Sequence, residues 1–243
     1  MGIDVSVFNF LLRYRGRGLG RTLCLGRQAF NLPPDSNVRG IANELLKSID
    51  ETLSIHDVEG DNGYSEKFFN FLGSSAVLSM DMSDFEGAKI IHDLNKPIPN
   101  FMENFCDTIF DGGTLEHIYN FPMASMNIRR MLRVGGLFLS VNAANNQLGH
   151  GLYQFSPELL WRAFGPEVGF DIEVMELVPI TGAAPKPIPV SAPDGRRLEI
   201  GPTQNPTYVM CAARKMANYD IADITIYQGD YAAAWKRARN AKL

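Results

Sequence analysis

AVLSMDMSDFEGAKIIHDLNKPIPNFMENFCDTIFDGGTLEHIYNFPMASMNIRRMLRVGG, residues 76–136, is the stretch that decides the fold. Three short apolar runs stand in it: AVLSMD at 76–81, KIIHDL at 89–94 and FCDTIF at 105–110. Each has the length and bounding residues of a buried strand. A helical pattern over about 114–132 separates the third run from GLFLSVN at 136–142, a fourth strand. Strands alternating with helices imply right-handed crossovers and a parallel sheet covered on both faces.

The same alternation extends in both directions. Upstream, Val5, Phe8, Leu11 and Leu12 recur at helical spacing, so residues 4–14 form an expected N-terminal helix. RTLCLG at 21–26 reads as a strand. After PPDSN, the residues Ile41, Leu45, Leu46, Ile49 and Leu53 mark one helix face, and Phe68, Phe69 and Leu72 mark a helix over about 64–72. Downstream, Ser156-Pro157 opens a helix through ELLWRAF, since Pro suits a first helical turn. IEVMEL and TYVMCAARK then close the sheet. Between them runs a Pro- and Gly-rich excursion, residues 179–206, readable as a substrate lid, a hairpin or a disordered loop.

At 243 residues and 45% hydrophobic, the chain can bury one substantial core, and a single domain is expected over residues 1–243. A net charge of −4 supplies no general attraction to phosphate backbones, so nucleic acid is not expected as a partner. Cys24, Cys106 and Cys211 are odd in number, widely spaced and set in apolar runs, which favours reduced, buried thiols and a cytoplasmic location. No apolar run is long enough to cross a bilayer, and the N-terminal charges follow the apolar segment, so no membrane association is expected. The MG start and the AKL end approximate a myristoylation and a peroxisomal signal, patterns short enough to arise by chance. In the tail, 217–243, the aromatics Tyr219, Tyr227, Tyr231 and Trp235 are expected to pack on the domain while the basic residues face solvent.

Ligands of open α/β sheets bind at the carboxyl ends of the strands, where strand order reverses. Asp81 ends one strand, and its two oxygens suit both hydroxyls of a ribose; Asp93 ends the next and can accept from an adenine amino group. Met82 and Leu94 offer apolar faces for the ring. The competing reading makes both acids turn or cap residues.

VLSMDMS, HDL, FDTIF, GGTLEHI and MLRVGG occur in an order and spacing that resembles the seven-stranded, Rossmann-like S-adenosylmethionine-dependent methyltransferases. The resemblance covers about residues 20–178 and is specific over 76–141. It implies a doubly wound α/β fold: a mostly parallel seven-stranded sheet, helices on both faces and an antiparallel strand near the C-terminus. It also implies S-adenosylmethionine as cofactor, a cofactor-binding half at 20–142 behind the N-terminal segment 1–19, and a substrate-side half at 143–216. Asp81 would hold the ribose, Asp93 would contact adenine, and Asp111-Gly112 would line the methionine end. The first loop departs from the family: LGRQAFNLPP keeps only Gly26 of the expected glycine run, with Arg27 offered to the cofactor carboxylate and Gln28 as a polar contact. GRGLG at 16–20 precedes its strand and so cannot place a ligand at the strand's carboxyl end.

Methyl transfer from a sulfonium needs orientation of the acceptor, and a general base chiefly for a hydroxyl. His150 lies in NAANNQLGHGLYQFSPE among hydrogen-bonding residues and is the leading base, with His117 of TLEHI second and Asn145 and Tyr153 as acceptor contacts. No spacing among His, Cys, Asp and Glu suggests a metal cage, and no nucleophile elbow is present. The expected activity is methylation of a small molecule or saccharide precursor, with oxygen the favoured atom. The missing glycine run leaves open a non-catalytic binding module. A nicotinamide-dependent oxidoreductase is disfavoured, because a pyrophosphate needs the glycines and amides that this loop lacks.

Overall fold

The structure, a computed structural model, describes residues 2–34, 36–201, 203–219 and 226–240. The AKL pattern and part of the tail lie outside the described residues. In chain order the elements are β1 (Gly2–Ile3), α1 (Val5–Leu12), β2 (Gly20–Leu25), β3 (Ala29–Phe30), α2 (Asn37–Lys47), α3 (Ile55–Val58), α4 (Glu66–Leu72), β4 (Ser74–Asp81) and β5 (Ile90–Ile91). There follow β6 (Cys106–Gly112), α5 (Phe121–Met131), β7 (Leu132–Asn145), α6 (Pro157–Phe164), β8 (Phe170–Pro179), β9 (Ile188–Pro189), β10 (Thr207–Lys215) and α7 (Gly229–Asn240).

The main sheet runs β5-β4-β2-β6-β7-β10-β8-β9. β5 through β7 pair in parallel, while β10 lies antiparallel to both β7 and β8. These seven strands are the expected sheet. The short β9 is an addition: the excursion sends Ile188 and Pro189 back along Leu177 and Glu176, so part of it is an edge strand.

Successive side chains of a strand face opposite sides, and the core divides accordingly. Cys24, Phe110, Leu139 and Met210 join α1 to α4 on one face, while Leu23, Ile109, Phe138 and Cys211 join α5 and α6 on the other. Burial on both faces explains why the strands read as continuous apolar runs rather than alternating ones. Phe68 centres the first face, stacked on Phe8 at 4.6 Å and meeting Phe30 edge-on at 5.8 Å. It thereby ties α1 and β3 to α4.

Local chemistry sets the element ends. Asp4 caps α1 by accepting from the amides of Ser6 and Val7, Ser36 caps α2, and Ser156 with Pro157 starts α6. Several expected boundaries are corrected. The helix expected over 114–132 is two pieces: a single turn at Leu115–His117, then α5, because Asn120 caps a fresh start at which Pro122 fits and could not sit mid-helix. α2 stops at Lys47, which leaves Ile49 40% exposed and Leu53 beyond the helix. The strand expected over 89–94 pairs only at Ile90–Ile91, since Asp93 begins a turn by accepting from Asn95. In the tail, Trp235 packs on Tyr227 and Tyr231, yet all three stay about half exposed, and Gly229 is the one buried residue of α7. The aromatics pack on one another more than on the domain.

Candidate functional site

The sheet order reverses between β2 and β6, and a cleft of about 450 Å³ opens at their carboxyl ends. Its size is within the usual range for small-molecule sites. Gly26, Arg27, Gln28, Asp81, Met82, Asp93, Leu94 and His117 all line it, so eight expected site residues from four chain segments come together.

Gly26 turns the chain at φ +71°, a left-handed conformation that side chains with a Cβ resist. A Cβ there would stand 3.1 Å from the Thr114 hydroxyl and 3.8 Å from Asp81 Oδ2, so the bare glycine keeps this corner open. The Thr114 hydroxyl donates to Leu25 O at 2.7 Å, and the Gly26 amide donates to Met80 O at 2.7 Å. Three strand ends are thus locked around the corner. Asp81 Oδ1 accepts weakly from the Ser83 amide at 3.4 Å, leaving much of the carboxylate's capacity for a ligand. Met82, 65% exposed, and the buried Leu94 both line the cleft. Asp93 lies on the cleft with one oxygen held by Asn95 and the other 3.5 Å from Lys96; hydrogen bonds from Asn95 hold its carboxyl below the usual range.

The divergent first loop is rigid by other means. Arg27 pairs with Glu66 at 2.6 Å, donates to Glu86 O at 2.9 Å and stacks on Tyr64 at 3.8 Å. Its guanidinium is committed to the protein, contrary to the expectation that it would pair with a cofactor carboxylate. Gln28 folds back to donate to Leu25 O at 2.6 Å, and its buried Oε1 has no hydrogen-bond partner among the described residues.

Asp111 is placed differently from the expectation. Its carboxylate is fully buried and accepts from the amides of Thr114 and Leu115, from Ser140 Oγ and from Asn142 Nδ2. It caps the turn at 114–117 from inside, so Gly113 and Thr114, rather than Asp111 and Gly112, form the cleft wall. Burial raises its carboxyl above the usual range, partly offset by those four donors.

Above this wall stands a group that the sequence reading missed in part. Glu116 has no exposed surface, and neither carboxylate oxygen has a hydrogen-bond partner among the described residues. Burial, then the nearby Asp111, pushes its carboxyl up to about 8, with partial compensation from the amides of Glu116 itself and Ala143, which face it outside good hydrogen-bond geometry. His150 Nε2 is 3.4 Å from Glu116 Oε1, and the His117 and His150 rings meet edge-to-face at 5.2 Å. Desolvation, then His150, depresses His117 below its usual value. The expected pair of histidines is therefore one cluster with Glu116 behind it. The Glu-His dipeptide was visible in TLEHI, but its proximity to His150 depends on the fold.

The loop after β7 holds His150 in place. The Glu116 carbonyl accepts from the amides of Leu152 and Tyr153, and a Cβ on Gly151 would come within 2.9 Å of Glu116, so only glycine lets the loop lie so close. Gln147 donates to Thr207 O at 3.0 Å. Asn145 does not line the cleft: it donates to Thr203 Oγ1 at 2.8 Å and, with Asn146, fastens the end of the excursion. Tyr153 likewise lies outside it, its hydroxyl donating to Tyr119 O at 2.7 Å.

Counted along the sheet, the seven main strands run third, second, first, fourth, fifth, seventh, sixth, with the seventh reversed. This is the doubly wound, Rossmann-like α/β order expected from the sequence, with its antiparallel strand near the C-terminus. No protein-family model and no curated protein matches the chain. Among solved structures, it is similar to an S-adenosylmethionine-dependent methyltransferase from Mesorhizobium loti, with 13% identity, 86% of this chain and 97% of that one covered, and a TM-score of 0.48. It is also similar to a 1,6-didemethyltoxoflavin-N1-methyltransferase from Burkholderia thailandensis that carries S-adenosylhomocysteine, with 14% identity, 88% and 78% covered, and a TM-score of 0.46. The [4+2]-cyclase SpnF is similar too, with 12% identity, 71% and 59% covered, and a TM-score of 0.39. Likeness at this level fixes no reaction. No helix among the described residues is long and apolar enough to cross a membrane.

Proposed function

We propose that the chain binds S-adenosylmethionine in the cleft at the carboxyl ends of β2, β4 and β6 and transfers a methyl group to a small-molecule acceptor, with a hydroxyl oxygen the favoured atom. The observation that carries this reading is Asp81: a carboxylate with spare acceptor capacity, fixed at a strand end beside the open corner at Gly26.

The groups present fit a nucleoside. Asp81 would take the ribose hydroxyls, Met82 and Leu94 would flank the base, and Asp93 would accept from its amino group. The orphaned Gln28 Oε1 is a buried acceptor at the first turn, suited to an ammonium group at the other end of the cofactor. Bound there, the sulfonium supplies an already activated methyl group, so the chain's own work is to orient the acceptor and receive a proton. His117 faces the cleft and its depressed pKa keeps it neutral near pH 7, able to accept that proton, with His150 stacked against it.

His150→Ala is expected to lower kcat by about a hundredfold, because losing the ring that packs edge-on against His117 lets that base move, while the cofactor's Kd stays within about threefold. Normal turnover in this variant would remove His150 from the acceptor side. A non-catalytic binding module is the second reading, favoured by the commitment of Arg27 to Glu66 and Glu86. It predicts cofactor binding without product for every acceptor class tried, which a methyl-transfer assay reads directly.

A further inference from the structure

Three donors from two distant segments converge where His117 forms the cleft wall. The Glu116 carboxylate, His117 and His150 each offer a ligand atom, and these atoms lie within 4.8 Å of one another. Two of the three are unsatisfied: both Glu116 oxygens and His150 Nε2 are buried without a hydrogen-bond partner among the described residues. A fully buried carboxylate faced only by poorly aligned amides and a histidine at 3.4 Å among the described residues is costly, and native proteins keep one where something else supplies the charge or the bonds.

The separation between them is informative. His150 Nε2 and Glu116 Oε1 are 3.4 Å apart yet make no hydrogen bond. With metal bonds near 2.0–2.1 Å, two donors on one edge of a tetrahedron stand about 3.4 Å apart. His117 is exposed, and its ring nitrogen lies within 4.8 Å of the other two ligand atoms. The surrounding backbone is already fixed: the loop bearing His150 is hydrogen-bonded to the Glu116 carbonyl and packed on it at Gly151.

We infer that Glu116, His117 and His150 form a binding site for a divalent first-row transition-metal cation at the acceptor end of the cleft. Two imidazoles and one carboxylate suit Zn²⁺, Mn²⁺ or Fe²⁺ and leave coordination positions open. His117 is part of the cleft wall, so a cation it holds would stand at the cleft's edge. A cation there would select acceptors that carry a metal-binding oxygen and would polarise that oxygen. The inference goes beyond methyl transfer and does not need it, but it revises the base: with a cation bound, the His117 lone pair would be taken and the cation would make the acceptor oxygen more acidic.

The test uses the full chain stripped of metal by a chelator. Calorimetric titration with ZnCl₂ and MnCl₂, and visible absorption on adding Co²⁺, should show one cation bound per chain, with spectral bands of a mixed nitrogen and oxygen site. His150→Ala and Glu116→Gln should each weaken binding at least tenfold, His150→Asp should restore part of it by returning a donor, and His56→Ala should leave it unchanged. Circular dichroism separates a lost site from a lost fold, and His150→Asp serves where Glu116→Gln does not fold. No stoichiometric binding of any of the three cations, or binding that survives His150→Ala, would overturn the site. S-adenosylhomocysteine titrated into the same metal-free protein reads the cofactor separately, so failure of one reading leaves the other standing.

Discussion

Replacing Asp81 with alanine is expected to weaken S-adenosylmethionine binding by at least tenfold while the protein stays folded. The carboxylate ends β4 at a partly exposed position and takes one long hydrogen bond from the Ser83 amide, so the fold loses little with it. A ribose would lose two bonds to a charged acceptor, each worth roughly 1.5–3 kcal/mol, and roughly 1.4 kcal/mol is already tenfold. Asp81→Asn is the finer comparison, since it keeps the shape and removes the charge. Calorimetric titration of both variants, with melting curves alongside, checks the expectation; unchanged affinity would remove the ribose assignment.

The second large effect is on stability. Phe68→Ala is expected to destabilise the protein by about 3–5 kcal/mol, the usual cost of deleting a buried phenylalanine. Phe68 has no exposed surface and contacts Phe8, Phe30, Phe69 and Phe71, so its loss loosens α1, β3 and α4 together. Domains are typically stable by about 5–15 kcal/mol, so the variant would be left with a small margin. Denaturant unfolding measures it. A loss under about 1 kcal/mol would mean that the N-terminal helix is not docked as described.

The fold was legible because strands covered by helices leave continuous apolar runs, and those at 76–81 and 207–215 fall within β4 and β10 while that at 105–110 covers most of β6. Boundaries were legible only where local chemistry fixes them. Ser156-Pro157 marked the start of α6, whereas Asn120 and Pro122 were overlooked inside a longer helical pattern. At the site, Asp81 was readable because it ends β4, whereas Asp93 reaches the cleft from a turn just past the shorter β5. Asp111 was not, because its ligands Ser140 and Asn142 belong to another strand and turn its carboxylate inward. The polar character of Asn145 suggested a substrate contact, but its amide is used to hold Thr203. Glu116 was hidden for a related reason: between Leu115 and Ile118 it reads as helix surface, and only the fold folds His150 back over it.

Calorimetric titration of the wild-type chain with S-adenosylmethionine and S-adenosylhomocysteine, with NAD as control, tests the central claim most directly. The account predicts micromolar binding of the first two, one per chain, and none of NAD, whose pyrophosphate meets no row of glycine amides at the first loop. Binding of NAD alone, or of none of the three, would contradict it.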